Sequence, residues 1–268
     1  MPSIEENRRY WNGGYSWLCH GDEWSKDWGD VSMQWYGTIL PRIHSFLDAG
    51  TILEVGCGFG RWTKYLKDHC HRLMAIDLSE QCIAACRQRF EAAAHVSFYC
   101  NDGKSLAVVD DESVDFVFSF DALPLVDQST IEAYLTQLPR VLKPNGVAFL
   151  HHSNLGRYRR RSRLFAGMPK LELVLRRLGW MERDLHWRDP SVSAELVENL
   201  ASLHGLRCAS QEIFRWGTKR LFIETFTVLV RELSDWRREC VRLENDWFDR
   251  EVANLSRLAR LYVRDCRG

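Results

Sequence analysis

The stretch ILEVGCGFGRWTKYL at residues 52–66 limits the fold more than any other part of the chain. An apolar run gives way to Gly56, Gly58 and Gly60 and then to helical spacing, the pattern of a buried strand turning directly into a helix. In an open parallel sheet, ligands bind beyond the carboxyl ends of the strands, and the loop after the first strand is the usual cradle. Glycine lets that loop adopt positive φ and touch a ligand with no Cβ in between. A dinucleotide fingerprint is GxGxxG; here the spacing is GxGxG, with Glu54 two residues ahead. A fixed carboxylate there does little for a pyrophosphate and suits a cationic ligand. Asp77 follows about twenty positions after Gly56, where a carboxylate that grips ribose hydroxyls belongs. These features point to an adenosine-bearing ligand with a positive charge and no phosphate.

Short apolar strands are expected at 51–55, 75–78, 95–100, 114–120 and 146–152, with helices in the intervening segments. Ser79-Glu80 begins a helix on which Cys82, Ile83 and Cys86 share one face, and Thr130 begins another. Two further strands within 204–214 and 219–232 close the sheet. The expected fold class is α/β: a Rossmann-like, seven-stranded, mostly parallel sheet with helices on both faces. Trp236, Cys240, Leu243, Trp247, Leu255, Leu258 and Tyr262 recur at helical spacing, which predicts a tail of one long amphipathic helix or two. The expected organisation is an aromatic-rich helical cap at 1–48, a core domain at 49–232 with an acceptor-side insertion at 155–190, and a helical extension at 233–268.

Composition narrows the partners. The 36 basic and 36 acidic side chains cancel, so no global field draws the chain to nucleic acid or to an anionic membrane, and a small-molecule partner is expected. No apolar stretch approaches the roughly 20 residues of a membrane span, and the first residues lack the apolar core of a secretory signal. Nine cysteines without a CxxC pair suit thiols in a reducing compartment, so a cytoplasmic location is expected. His69-Cys70-His71 lacks a second ligand cluster, and no metal is expected.

Taken in order, Glu54–Gly60, AIDLSE with Asp77, NDGKSL with Asp102, VDFVFSFDAL and LKPNGVAFLHHSN resemble the class I S-adenosylmethionine-dependent methyltransferases, and among them bacterial sugar and natural-product enzymes. The resemblance spans about residues 50–154. It implies S-adenosylmethionine as cofactor. Glu54 and the loop of Gly56, Cys57, Gly58 and Gly60 would surround its methionyl end, and Asp77 with Leu78 would take the ribose. Asn101, Asp102 and Gly103 would border the adenine, while Ser119 and Phe120 would line the path to the sulfonium.

Methyl transfer is an in-line displacement that must align the acceptor and, for a hydroxyl, take up its proton. Asp121 after the fourth strand and His151-His152 at the end of the fifth are the candidate bases, and strand alternation sends the two histidines to opposite faces. The segment after the fourth strand has Leu125 where similar enzymes often place a histidine, which puts more weight on these three and on amine chemistry. The N-terminal segment crowds Trp11, Trp17, Trp24, Trp28 and Trp35 among acids, either as an aromatic lid or as packing for a helical cap. Trp24, Trp28, Trp187 and Arg188 are the candidate acceptor contacts. The run Arg157, Arg159, Arg160, Arg161 and Arg163 reads as a solvated face, or as a site for an acceptor phosphate. The expected activity is methyl transfer to a hydroxyl of a sugar-like acceptor, with an amino-sugar nitrogen as the alternative and a noncatalytic cofactor-binding partner as a different class. The C-terminal helix either pairs two subunits as a homodimer or covers its own sheet.

Overall fold

The computed structural model describes residues 3–159, 188–217 and 220–262. Trp187 and Arg160, Arg161 and Arg163 lie outside the described residues. The strands are β1 (Ala49–Val55), β2 (Cys70–Asp77), β3 (Val96–Cys100), β4 (Val114–Leu123), β5 (Leu142–Ser153), β6 (Leu206–Phe214), β7 (Glu224–Arg231) and β8 (Val241–Asn245). The helices used below are α1 (Ile4–Arg9), α2 (Val31–Gln34), α3 (Leu40–Ile43), α4 (Thr63–Leu66), α5 (Glu80–Arg89), α6 (Gln128–Val141), α7 (Ala194–Leu203) and α8 (Phe248–Tyr262).

All eight strands form one sheet in the order β3-β2-β1-β4-β5-β7-β6-β8. The first five are parallel neighbours, β7 runs antiparallel between β5 and β6, and β8 lies parallel to β6. The order reverses between β1 and β4, which opens a crevice beyond their carboxyl ends.

The sheet therefore has eight strands, not the seven expected. The extra one comes from the tail, where Val241–Asn245 is a strand and, among the described residues, only Phe248–Tyr262 is helical. Val241 and Leu243 also fit a period of two, and β6 offers the open edge on which that period is realised. Helix starts follow side-chain oxygens. Ser79 accepts from Cys82 N–H ahead of α5, and Ser193 from Leu196 N–H ahead of α7. The cap of α6 is Asp127, which accepts from Thr130 N–H, so the helix begins before the expected Thr130.

Alternation along the strands gives the sheet two differently covered faces. Leu53, Val55, Val117, Ala148 and Leu150 point into an aliphatic layer with Leu135 of α6 and Val197 of α7. Ile52, Phe118, Phe120, Phe149 and Phe226 point into an aromatic layer with Trp28, Trp35, Trp62 and Phe248. The N-terminal segment and α8 thus cover the same face. They meet closely, since a Cβ on Gly29 would lie 2.2 Å from Ala259 Cβ and one on Gly37 would lie 2.4 Å from Leu255 Cδ2.

Candidate active site

The turn after β1 is built to hold backbone close to a ligand. Gly56 and Gly58 have φ of 78° and 53°, a region costly for other residues. A Cβ on Gly56 would meet Ala122 Cβ at 2.2 Å, so this glycine lets β1 and the end of β4 close up. Asp77 ends β2 with one carboxylate oxygen accepting from Gly58 N–H at 2.8 Å and the other from Ser79 N–H at 2.9 Å. Burial raises its pKa against the pull of those amides, so the loop holds the carboxylate at the cost of its hydration.

A cleft of about 680 Å³ lies over this turn, lined by Gly56, Cys57, Gly58, Asp77, Leu78 and Phe120 among the expected cofactor residues. Its roof is the N-terminal segment. Trp17 stacks on Phe59 with centroids 4.5 Å apart, and Trp24 stacks on Trp17 at 5.9 Å. Ser79 Oγ donates to Asn12 Oδ1 at 2.7 Å, which ties the segment to the start of α5. A neighbouring cleft of about 890 Å³ is lined by Tyr10, Tyr15, Asp27, Trp28, Pro124, Arg188 and Trp216. The two share Trp24, Asp121 and Leu125.

Asp121 is thus the charged residue common to both cavities. It sits where the β4–β5 register shifts, with φ of 63°, a left-handed conformation rare outside glycine that turns its carboxylate out of the sheet. Arg61 pairs with it through Nη2 and stacks over Trp62 with the guanidinium carbon 4.4 Å from the ring centroid. His151 Nδ1 lies 3.2 Å from Asp121 Oδ1. Desolvation alone would raise the Asp121 pKa, but Arg61 and His151 outweigh it and hold the carboxyl well below the usual carboxylate range.

Alternation on β5 separates the two histidines as expected, and the structure sets which is which. His151 shares the aromatic face with Phe120 and Phe226. His152 is wholly buried on the opposite face, with Nε2 2.7 Å from Thr227 Oγ1 and Nδ1 2.9 Å from Ser153 O. Burial pushes its pKa down to about 4, so it is a neutral packing residue remote from the cleft.

Several expected cofactor contacts also lie outside the cleft lining. Glu54 is buried beneath the turn, where Oε2 accepts from Thr63 Oγ1 at 2.5 Å, Oε1 has no partner, and desolvation raises its pKa to about 8. Gly60 packs under Phe90. Ser119 Oγ donates to Val55 O and joins β4 to β1. Asp102 accepts from the N–H groups of Lys104 and Ser105, and Asn101 accepts from Gly103 N–H, so both shape the loop after β3. The five tryptophans divide: Trp11, Trp17 and Trp24 line the first cleft, Trp24 and Trp28 the second, and Trp35 is core, stacked on Tyr65 at 4.8 Å. Sequence reasoning missed Arg61, although it directly follows the glycine turn, and Glu224, which lies far away in the chain.

The cradle fits an adenosine-bearing cation. The buried Asp77 carboxylate and the Asp121 carboxylate face the cleft, and glycine backbone forms its floor.

Residues 52–146 match the family model described as a methyltransferase domain. Nodulation protein S of Rhizobium tropici is 33% identical over 130 residues, which are 48% of this chain and 54% of that protein. The biotin biosynthesis bifunctional protein BioHC of Cellvibrio japonicus is 26% identical over 196 residues, 73% of this chain and 34% of that protein. The chain thus spans about a third to a half of these curated relatives. The crystal structure of N-methyltransferase NodS from Bradyrhizobium japonicum WM9 superposes with a TM-score of 0.50 at 19% identity, covering 73% of this chain and 94% of that one. With the sheet order, the glycine turn and Asp77 in place, these matches identify residues 52–146 as a class I S-adenosylmethionine-dependent methyltransferase domain.

Proposed function

We propose that the chain methylates an amine nitrogen on a small polar acceptor held in the cleft of Tyr15, Trp24, Trp28 and Trp216. The observation that carries this reading is Asp121, a carboxylate held below its usual pKa range in the wall common to both cavities. S-Adenosylmethionine, when bound, supplies an electrophilic methyl group on a sulfonium. Asp77 would hold its ribose, Gly56 and Gly58 would lie against its methionyl end, and Phe120 would line the path to the sulfonium. As the acceptor nitrogen attacks, it becomes positive. Asp121, fixed by Arg61 and His151, stabilises that charge where it develops, and the aromatic faces add cation–π attraction. Asp27 lies on the same wall and makes no ion pair among the described residues, which leaves a second carboxylate for the positive charge that the nitrogen gains on methylation.

Transfer to a hydroxyl, the sequence expectation, needs a group ready to take a proton. Asp121 is a weak base at its lowered pKa, His151 is raised toward its protonated form between two carboxylates, and His152 faces away. An amine loses its proton to water beforehand and needs no such group. The likeness to an N-methyltransferase in the NodS structure agrees with this reading. The test is mass spectrometry of paired acceptors, amino sugars beside the corresponding neutral sugars and simple amines beside alcohols, incubated with protein and S-adenosylmethionine. A methyl located on nitrogen supports the proposal, and methyl found only on oxygen rejects it.

A further inference from the structure

Two free cysteines meet where the tail joins the sheet. Cys208 lies on β6, and Cys240 is the residue just ahead of β8, 32 positions later. Their sulfurs are 3.3 Å apart. Strand register brings them together. β8 runs parallel to β6 with Val241 beside Ser210, so Cys240 enters the ladder next to Ala209 and Cys208. Adjacent strands lie about 4.8 Å apart, within the roughly 4.4–6.8 Å between Cα atoms that a disulfide spans. Arg238 Nε donates to Ala209 O at 3.2 Å and holds the approaching chain close. Cys208 is buried in the aliphatic layer, while Cys240 is half-buried and packs on it, so the pair is reached from the Cys240 side. β8 itself is an edge strand. It pairs only with β6, and Val241, Arg242, Leu243 and Glu244 are exposed, yet α8 and its grip on the N-terminal segment follow closely behind.

We propose that Cys208 and Cys240 form an oxidative modification site, at which a peroxide converts the two thiols to a disulfide that ties β8 to β6. The Cys240 sulfur attacks a peroxide oxygen, the O–O bond breaks, and a sulfenic acid and one water result. The Cys208 sulfur then displaces the sulfenic hydroxyl, which leaves as a second water as the S–S bond forms. Two thiols thus give up two electrons and two protons, and hydrogen peroxide is reduced to two waters. Burial pushes the Cys208 thiol pKa up, which suits it to the second step, next to a partner already in place, more than to the first. The bond closes the chain between residues 208 and 240 into a loop. That restricts the unfolded chain, and in the folded protein it gives β8 a fixed end from which to re-pair whenever the edge opens. Under reducing conditions the same sulfurs stay packed as thiols, so the hold on the tail follows the redox state.

The test uses the full chain with Cys19→Ser and Cys100→Ser, which removes the two exposed thiols among the described residues. After treatment with hydrogen peroxide, the intact mass is expected to fall by about 2 Da, and a digest without reductant should yield the peptides of Cys208 and Cys240 linked. The oxidised protein is expected to melt at least about 4 °C higher and to exchange the amides of β8 more slowly, both effects being reversed by dithiothreitol. Cys240→Ala in the same background should show neither effect. Cys208 and Cys240 remaining unlinked while other thiols of the chain are oxidised overturns the proposal. A linked pair whose melting and β8 exchange match those of the reduced protein overturns the hold on the tail. The first result is read on the protein with both cysteines in place, so it stands whether or not the alanine variant folds.

Discussion

Removing the Asp77 carboxylate is the perturbation that tests the cofactor site most directly. Its two oxygens already accept from Gly58 and Ser79, which fixes the carboxylate in the cleft wall before any ligand arrives. Hydrogen bonds to a charged group contribute about 1.5–3 kcal/mol each. Two ribose hydroxyls held by Asp77 therefore account for about 3–6 kcal/mol, or roughly 10²- to 10⁴-fold in Kd. Asp77→Ala should lose that whole range. Asp77→Asn keeps an acceptor for one amide but not the charge, and should lose roughly 10- to 100-fold. Calorimetric titration with S-adenosylhomocysteine gives both numbers, alongside thermal melts that separate lost binding from lost folding, because the alanine variant leaves two amides without their acceptor. An alanine variant that melts like the wild type and binds within threefold would refute the reasoning.

Three further outcomes follow from the same geometry. Arg61→Gln should leave S-adenosylhomocysteine affinity within about tenfold while lowering kcat by roughly 10- to 100-fold, because Asp121 keeps only His151 as its anchor; a larger effect on Kd than on kcat would contradict this. Trp35→Ala should cost about 3–5 kcal/mol of stability, read from urea midpoints, because the indole is fully buried between the sheet and Tyr65. The folded pKa of His152 is depressed to about 4, below the value of about 6.5 in an unfolded chain, so its contribution is fully present above pH 6.5 and is lost as pH falls toward 4. That loss amounts to about 3 kcal/mol, and urea midpoints at pH 7 and pH 5 should diverge less in His152→Gln than in the wild type.

What the sequence disclosed and what it hid divide along distance in the chain. The glycine turn, Asp77 and the strand ends at Asp121 and His151 are local features, each read from a few neighbouring residues whose backbone needs are distinctive. Glu224 became visible only once β7 was laid antiparallel against β5, which brings it 3.1 Å from His151 across 73 positions. Arg61 looked like the first turn of a helix, yet its partner lies 60 positions away on a bulged strand. The period-two alternation of β5 correctly separated His151 from His152 but carried no label for the two faces. That label comes from which aromatic residues reach the sheet from outside it. Asp102 and Asn101 occupy the expected positions after β3, but short loop hydrogen bonds claim their side chains. The tail misled for a related reason: Leu243 continues both the helical spacing of Cys240 and Trp247 and the extended spacing of Val241, and the choice belongs to the open edge of β6.

The close packing of α8 on the N-terminal segment sets an order of events during synthesis. Thr38 donates to Glu251 across 213 positions, and Arg42 completes its pairing only with Glu251 and Glu212. The segment that roofs the cleft is therefore translated before the sheet and locked by residues made after it. On the ribosome, Trp28 and Trp35 must wait through most of the growing sheet before Val252, Leu255 and Ala259 arrive, and the roof over the cofactor cradle gains its last support only after the sheet below it is complete.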